Sequence, residues 1–281
     1  MLSETPMSSG EGARFTLLGG KTALVTGGTM GLGRAIALEL ARAGAWVAVS
    51  QRWGSADRGE LDACFAAEGV APPMVVDADA SAPEETRALV RRIAEARGAL
   101  DFVISNVAFG RATQSLGELK WSTFEIALRY STWPLVDLVQ TIREICGRFP
   151  THVVAVSSLG PESWYPGYDT LAAAKGALDA ICRYLAMRLR ADGVRVNVLK
   201  PGVLDTAGSR RIFGRETIGK MRDRRMLTDP SAAARACVAL CSGLLDGMTG
   251  QCFVVDDGAS LMSDLALMAG DDPKARRSSD G

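Results

Sequence analysis

The sequence predicts one doubly wound α/β domain, an open parallel β-sheet of about seven strands with helices on both faces. Three observations carry the prediction. Short β-branched runs alternate with longer segments of helical spacing, the mark of β-α-β units closing on a single sheet. The runs lack hydrophobic–polar alternation, as strands covered on both faces do. The first run passes through a glycine-rich turn straight into an amphipathic segment.

Each element follows from its own residues. The first strand is expected over Thr22–Thr26, and the apolar positions Leu32, Ile36, Leu40 and Ala43 then recur at helical spacing. Further strands are expected at Trp46–Ser50, Met74–Asp77, Phe102–Ser105, His152–Ser157, Arg195–Leu199 and Gln251–Val255. A second clear helical stripe joins Leu171, Leu178, Leu185 and Leu189. Residues 18–262 form the single expected domain; residues 1–17 read as a flexible lead-in without the pattern of a secretory signal, and residues 263–281 as a polar tail.

Composition removes several function classes. Lys plus Arg and Asp plus Glu each count 32 in 281 residues, so no global field draws nucleic acid or an anionic membrane, and neither is expected as a partner. No apolar run approaches the roughly 20 residues that span a bilayer, and a cytoplasmic protein is expected. The six cysteines stand singly and His152 is the one histidine, which argues against a metal site or a disulfide framework. His152 opens a buried-strand run and reads as a structural polar residue.

The segment Thr26 to Gly33, TGGTMGLG, is the first that carries chemistry. Gly27, Gly31 and Gly33 permit a tight turn, close approach of backbone to a pyrophosphate and close helix–strand contact. Thr29, Met30 and Leu32 complete the cradle, and the helix N-terminus adds unpaired N–H groups and a positive dipole. The predicted class is therefore a Rossmann-type dinucleotide fold. An NAD-preferring site needs an acid at the end of the second strand, but that strand ends Ser50-Gln51-Arg52. Arg52 offers a planar donor fork suited to a ribose 2′-phosphate, so the expected cofactor is NADPH (NADP).

Further motifs follow in order: Asp79-Ala80, Ser105-Asn106-Val107-Ala108, Ser158, Lys175, Pro201-Gly202-Val203-Leu204-Asp205-Thr206 and Val255-Asp256-Asp257-Gly258. Together with the glycine loop they resemble the short-chain dehydrogenase/reductase family over Leu18 to Met262. The resemblance implies that Asp79 and Ala80 meet the adenine, that Asn106 and Lys175 hold ribose, and that Pro201, Val203 and Thr206 line the cofactor. It also implies a mobile substrate loop over about 206–228, here rich in arginine.

The catalytic segment departs from the ordinary family pattern. The slot four residues before Lys175 is Leu171, which cannot donate a proton, and the remaining candidate is Tyr168, seven before the lysine. This spacing resembles the divergent branch that contains NADPH-dependent enoyl-acyl-carrier-protein reductases. Ketone reduction places hydride and proton on adjacent atoms, whereas conjugate reduction of an enoyl thioester leaves charge on an oxygen two bonds further away. A donor displaced by nearly one helical turn suits the second reaction. Tyr168, Lys175 and Ser158 are the expected catalytic residues, with Lys175, as the resemblance implies, favouring the tyrosinate; Tyr165 and Trp164 are expected as pocket walls, and Tyr165 is the one backup donor.

The expected function is reduction of an activated C=C bond, an enoyl thioester of fatty-acid or polyketide type, and the expected partner is a small-molecule or acyl thioester substrate, with an acidic acyl carrier protein as a candidate carrier. The alternatives are a carbonyl or 3-ketoacyl reductase, and a non-reducing tailoring or cofactor-binding regulatory protein. Helices over about Ser122 to Arg148 and Tyr168 to Arg190 carry Trp133, Leu135, Leu138, Ile142, Ile181 and Leu185, more apolar positions than one sheet face covers. A symmetric homo-oligomer is expected, tetramer ahead of dimer.

Overall fold

The computed structural model describes residues 16–52 and 56–262. The expected tail lies outside the described residues, as does all of the lead-in but residues 16 and 17. Seven parallel strands form one sheet in the order β3-β2-β1-β4-β5-β6-β7: β1 Thr22–Thr26, β2 Trp46–Gln51, β3 Met74–Asp77, β4 Phe102–Ser105, β5 His152–Val156, β6 Arg195–Pro201 and β7 Cys252–Val255. Sequence reasoning finds all seven strands and misses only end residues, because β-branched runs stop less sharply than their ladders do.

Helices fill the crossovers: α1 Gly31–Arg42, α2 Arg58–Ala67, α3 Pro83–Arg97, α4 Trp121–Ser131, α5 Trp133–Cys146, α6 Asp169–Arg188, α7 Ala207–Phe213, α8 Arg215–Asp223 and α9 Pro230–Cys241. Successive strand residues point to opposite faces, and both faces are dry at β1, β4 and β5, while the edge strand β7 leaves Cys252 and Val254 exposed. Val25, Val49, Ile36, Leu40, Phe65 and Cys237 share the core on one side. On the other, Leu24 and Val103 pack with Leu89, Ile93 and Leu138, while Val153 and Val196 pack with Leu135 and Leu178.

The strand order reverses direction at β1, which lies between β2 and β4. Crossovers from β1 and β4 run to opposite faces, so a crevice opens past the carboxyl ends of these strands, where ligands of such sheets bind.

Two expectations on the outer helices are corrected. The helix read from Ser122 to Arg148 is two, broken at Thr132 (φ −122°, ψ −59°). Pro134 lacks an N–H and crowds the preceding turn, so the helix restarts there. Thr132 then donates its hydroxyl to the Ala174 carbonyl at 2.7 Å. Leu135, Leu138 and Ile142 are buried in the chain's own core and Leu185 packs against it, so they are not surplus apolar surface. The exposed aromatic and apolar side chains on these helices are Trp121, Ile126, Trp133, Tyr184 and Met187.

His152 is buried, its Nε2 at 2.8 Å from Asp246 and its Nδ1 at 3.0 Å from Thr151. It lies at the amino end of β5, opposite the crevice, and its role is structural. All six cysteines are free. Among the described residues no helix is long and apolar enough to cross a membrane, and no cluster of ligands suits a metal ion.

Candidate active site

The crevice is a cleft of about 740 Å³ whose lining runs from Arg52, Asp79 and Ala80 at one end, past the glycine loop, to Ser158, Tyr168 and Lys175. Thr29, Met30, Leu32, Asn106, Pro201, Val203 and Thr206 also line it. Every residue expected to serve the cofactor or the chemistry therefore meets one cavity.

The glycine loop has the geometry that its residues permit. Gly27 (φ +62°) and Gly31 (φ +54°) take left-handed conformations. A Cβ on Gly33 would fall 2.2 Å from the Gly27 carbonyl oxygen, so only glycine lets α1 start this close to β1. Asn106 braces the turn: its side-chain amide donates to the carbonyls of Thr26 at 3.0 Å and Gly27 at 3.3 Å. Thr26 Oγ1 in turn accepts from the backbone N–H of Asn106 at 2.9 Å and of Val107 at 3.2 Å. The ends of β1 and β4 are thus tied into one rigid cradle with the N-terminus of α1 above it.

At the far end, Arg52 leaves β2 into an ion pair, its Nε 3.1 Å from an Asp79 carboxylate oxygen. Its Nη1 donates to the Tyr130 hydroxyl at 2.8 Å, and that hydroxyl donates to Asp79 at 3.0 Å. Burial pushes the Asp79 carboxyl up, but hydrogen bonds from Ser81 and Tyr130 and the Arg52 charge outweigh it, leaving the group below its ordinary range and ionised.

At the other end, Tyr168 caps α6 and does not sit within it, the chain arriving through Gly167 (φ +73°). Its hydroxyl lies 3.3 Å from Ser158 Oγ. Burial pushes the Tyr168 phenol up, with the Ser158 hydrogen bond pulling only partly back. The shift favours the neutral phenol, the form able to donate a proton. Lys175 is buried and donates to the Val156 carbonyl at 2.5 Å. Burial lowers its ammonium to about 8, against the opposing pull of Asp179 one turn along.

Leu171, in the slot of the ordinary acid, is buried and packs beneath Gly110. Phe213, the last residue of α7, stacks on the Tyr168 ring at 5.7 Å and 27° and meets Tyr165 edge-on at 5.8 Å. Tyr165 lines the cleft, but Trp164 is 81% exposed and not part of its wall, a correction to the expectation for that residue. The loop before α6 turns outward there.

The arginine-rich segment forms α7 and α8. Asp205 pairs with Arg210 at 2.5 Å and with Arg222, which hold its carboxyl down at about 2. Lys220 pairs with Glu216 at 2.7 Å. Part of the segment's charge is thus neutralised within it; Arg211, Arg215, Arg224 and Arg225 are exposed.

Sequence reasoning missed Tyr130, Phe213 and Gly160. A Cβ on Gly160 would meet the Tyr168 ring at 2.6 Å. The spacing of a lone aromatic in α4 or α7 does not distinguish a cleft residue from core.

The sequence profile described as "Enoyl-(Acyl carrier protein) reductase" matches residues 27–260. The chain belongs to the short-chain dehydrogenase/reductase family, and within it to the enoyl-reductase-like group. This oxidoreductase is 28% identical over 249 residues to a 1-cyclohexenylcarbonyl-CoA reductase of Streptomyces collinus, covering 86% of this chain and 88% of that one. It is 26% identical to an NADH-dependent enoyl-[acyl-carrier-protein] reductase of Aquifex aeolicus, over 88% of this chain and 93% of the relative. Among solved structures, a short-chain dehydrogenase of Burkholderia cenocepacia in complex with NADP superposes with a TM-score of 0.76 at 28% identity, covering 86% of this chain and 99% of that one. The cleft described above is thus that of a short-chain oxidoreductase.

Proposed function

We propose that this enzyme is an NADPH-dependent reductase of an activated C=C bond, its substrate an enoyl thioester of fatty-acid or polyketide type. The observation that carries the reading is the position of Tyr168, at the N-terminus of α6 and 3.3 Å from Ser158, while Leu171 fills the nearer slot. A phenol there suits an oxygen remote from the carbon being reduced.

The cradle fits a dinucleotide, because the left-handed turns at Gly27 and Gly31 and the absence of a side chain at Gly33 let α1 start tight against β1, where a pyrophosphate is held in such folds. A bound nicotinamide supplies hydride. Lys175 would hold the ribose hydroxyls beside it, and Arg52 the 2′-phosphate. Tyr168 donates its hydroxyl proton or hydrogen bond to the developing enolate oxygen of the thioester, a stabilisation worth about 10²–10⁴-fold for a positioned acid. Ser158 orients that hydroxyl. Phe213 and Tyr165 wall the donor with aromatic surface, which excludes water and suits an apolar acyl chain.

The exposed arginines of the lid suit the phosphates of coenzyme A or an acidic carrier protein, and the free cysteines suit a cytoplasmic setting. Trp121, Trp133, Tyr184 and Met187 on the outer helices favour a homotetramer, with a dimer next. Light scattering decides: about four times the 29.7 kDa chain mass supports the tetramer, and a single chain mass rejects assembly.

The test of the activity is NADPH oxidation with crotonyl-CoA against acetoacetyl-CoA. Faster turnover of the crotonyl thioester is expected. Reduction of acetoacetyl-CoA alone would make the enzyme a carbonyl reductase, and oxidation with neither would favour a non-reducing or regulatory role.

A further inference from the structure

The Asp79 carboxylate is held from both sides. One oxygen accepts from the Ser81 backbone N–H and hydroxyl, both at 2.8 Å, and the other from the Tyr130 hydroxyl at 3.0 Å, with Arg52 Nε ion-paired to the same oxygen at 3.1 Å. Tyr130 is fixed in turn, its ring 5.7 Å from that of Phe109, whose backbone N–H donates to Ser131 next along α4.

The guanidinium of Arg52 is therefore gripped at two of its nitrogens, Nε by Asp79 and Nη1 by Tyr130, at the mouth of the cleft where β2 ends. A planar fork held at two nitrogens has its orientation set before a ligand arrives, so less ordering entropy is lost on binding. Arg52 and Tyr130 are 78 residues apart, and Asp79 comes from a third segment.

We propose that Tyr130, with Asp79 as its strut, is a positioning residue for cofactor choice: it acts through Arg52 to make the site select a ribose 2′-phosphate. The inference rests on the NADPH reading above, and its test separates the two. NADPH and NADH are titrated by fluorescence against the wild type, Tyr130→Phe, Arg52→Ala and the double variant, with no acyl substrate present. Tyr130→Phe keeps the ring and removes one hydroxyl. It is expected to weaken NADPH about tenfold and NADH less than twofold, the loss of a hydrogen bond to a charged group. In the double variant the loss should equal that of Arg52→Ala alone, because the hydroxyl has nothing left to position. Equal losses for both cofactors, no loss for NADPH, or losses that add in the double variant would each overturn the clamp. A wild type that binds NADH more tightly than NADPH would overturn the cofactor reading itself.

Discussion

Gly160→Ala tests whether the placement of the Tyr168 phenol governs turnover. The Cβ introduced by the substitution would stand 2.6 Å from both Cδ1 and Cε1 of Tyr168 and 3.3 Å from Ser158 Oγ. Ordinary contact begins at 3.4 Å, so the ring must retreat by about 1 Å. It cannot retreat freely, because its other neighbours are Phe213 and Tyr165, with ring centroids at 5.7 and 5.8 Å. Displacement therefore carries the hydroxyl off Ser158 or pushes the α7 lid outward. A misplacement of about 1 Å at a reacting group costs roughly 10²-fold in rate. The glycine loop, Arg52 and Lys175 are untouched, so the kcat for crotonyl-CoA should fall by about that factor while the NADPH dissociation constant stays within twofold. A kcat within twofold of the wild type would refute the claim that Gly160 is needed to seat Tyr168.

Two further predictions concern buried charge. Lys200 is 1% exposed and bridges Glu162 at 2.5 Å and Asp179 at 2.7 Å, and the other Asp179 oxygen has no hydrogen-bond partner among the described residues. Lys200→Ala leaves the Asp179 carboxylate buried and unpaired, and should destabilise the fold by about 3–5 kcal/mol in urea unfolding; a loss under about 1 kcal/mol would show that water reaches Asp179 instead. Lys175 has its folded ammonium lowered to about 8 from an ordinary 10.5, so its charged form disfavours the folded state. That cost is complete below pH 8 and disappears as pH rises towards 10.5, amounting to about 3 kcal/mol. The stability of wild type minus that of Lys175→Met should rise between pH 7 and pH 10, and parallel profiles would contradict the burial of the charge.

The fold was legible because its signals are local. TALVT and FVIS are uninterrupted apolar runs, and a strand covered on both faces needs nothing else to be recognised. The break at Thr132 was not, since Leu135, Leu138 and Ile142 continue a helical period across it and only Pro134 marks the restart. Tyr168 was legible through its spacing to Lys175, both lying at one end of a single helix. Gly160, Phe213 and Tyr130 were not, because each matters through a contact with a residue distant in sequence or across a loop. The grip on Arg52 by Asp79 and Tyr130 depends on three segments meeting, and no spacing encodes it. The upward push on the Tyr168 phenol was not legible either, because burial is a property of the folded cleft.

The central claim is that Tyr168 supplies the proton or hydrogen bond to a thioester enolate. Its most direct test is the steady-state rate of NADPH-dependent crotonyl-CoA reduction by Tyr168→Phe beside Tyr165→Phe, with NADPH affinity measured for both. Tyr168→Phe should lose about two orders of magnitude in kcat with NADPH binding nearly intact, and Tyr165→Phe should retain most of its activity. The opposite pattern, a crippled Tyr165→Phe and an active Tyr168→Phe, would contradict the account.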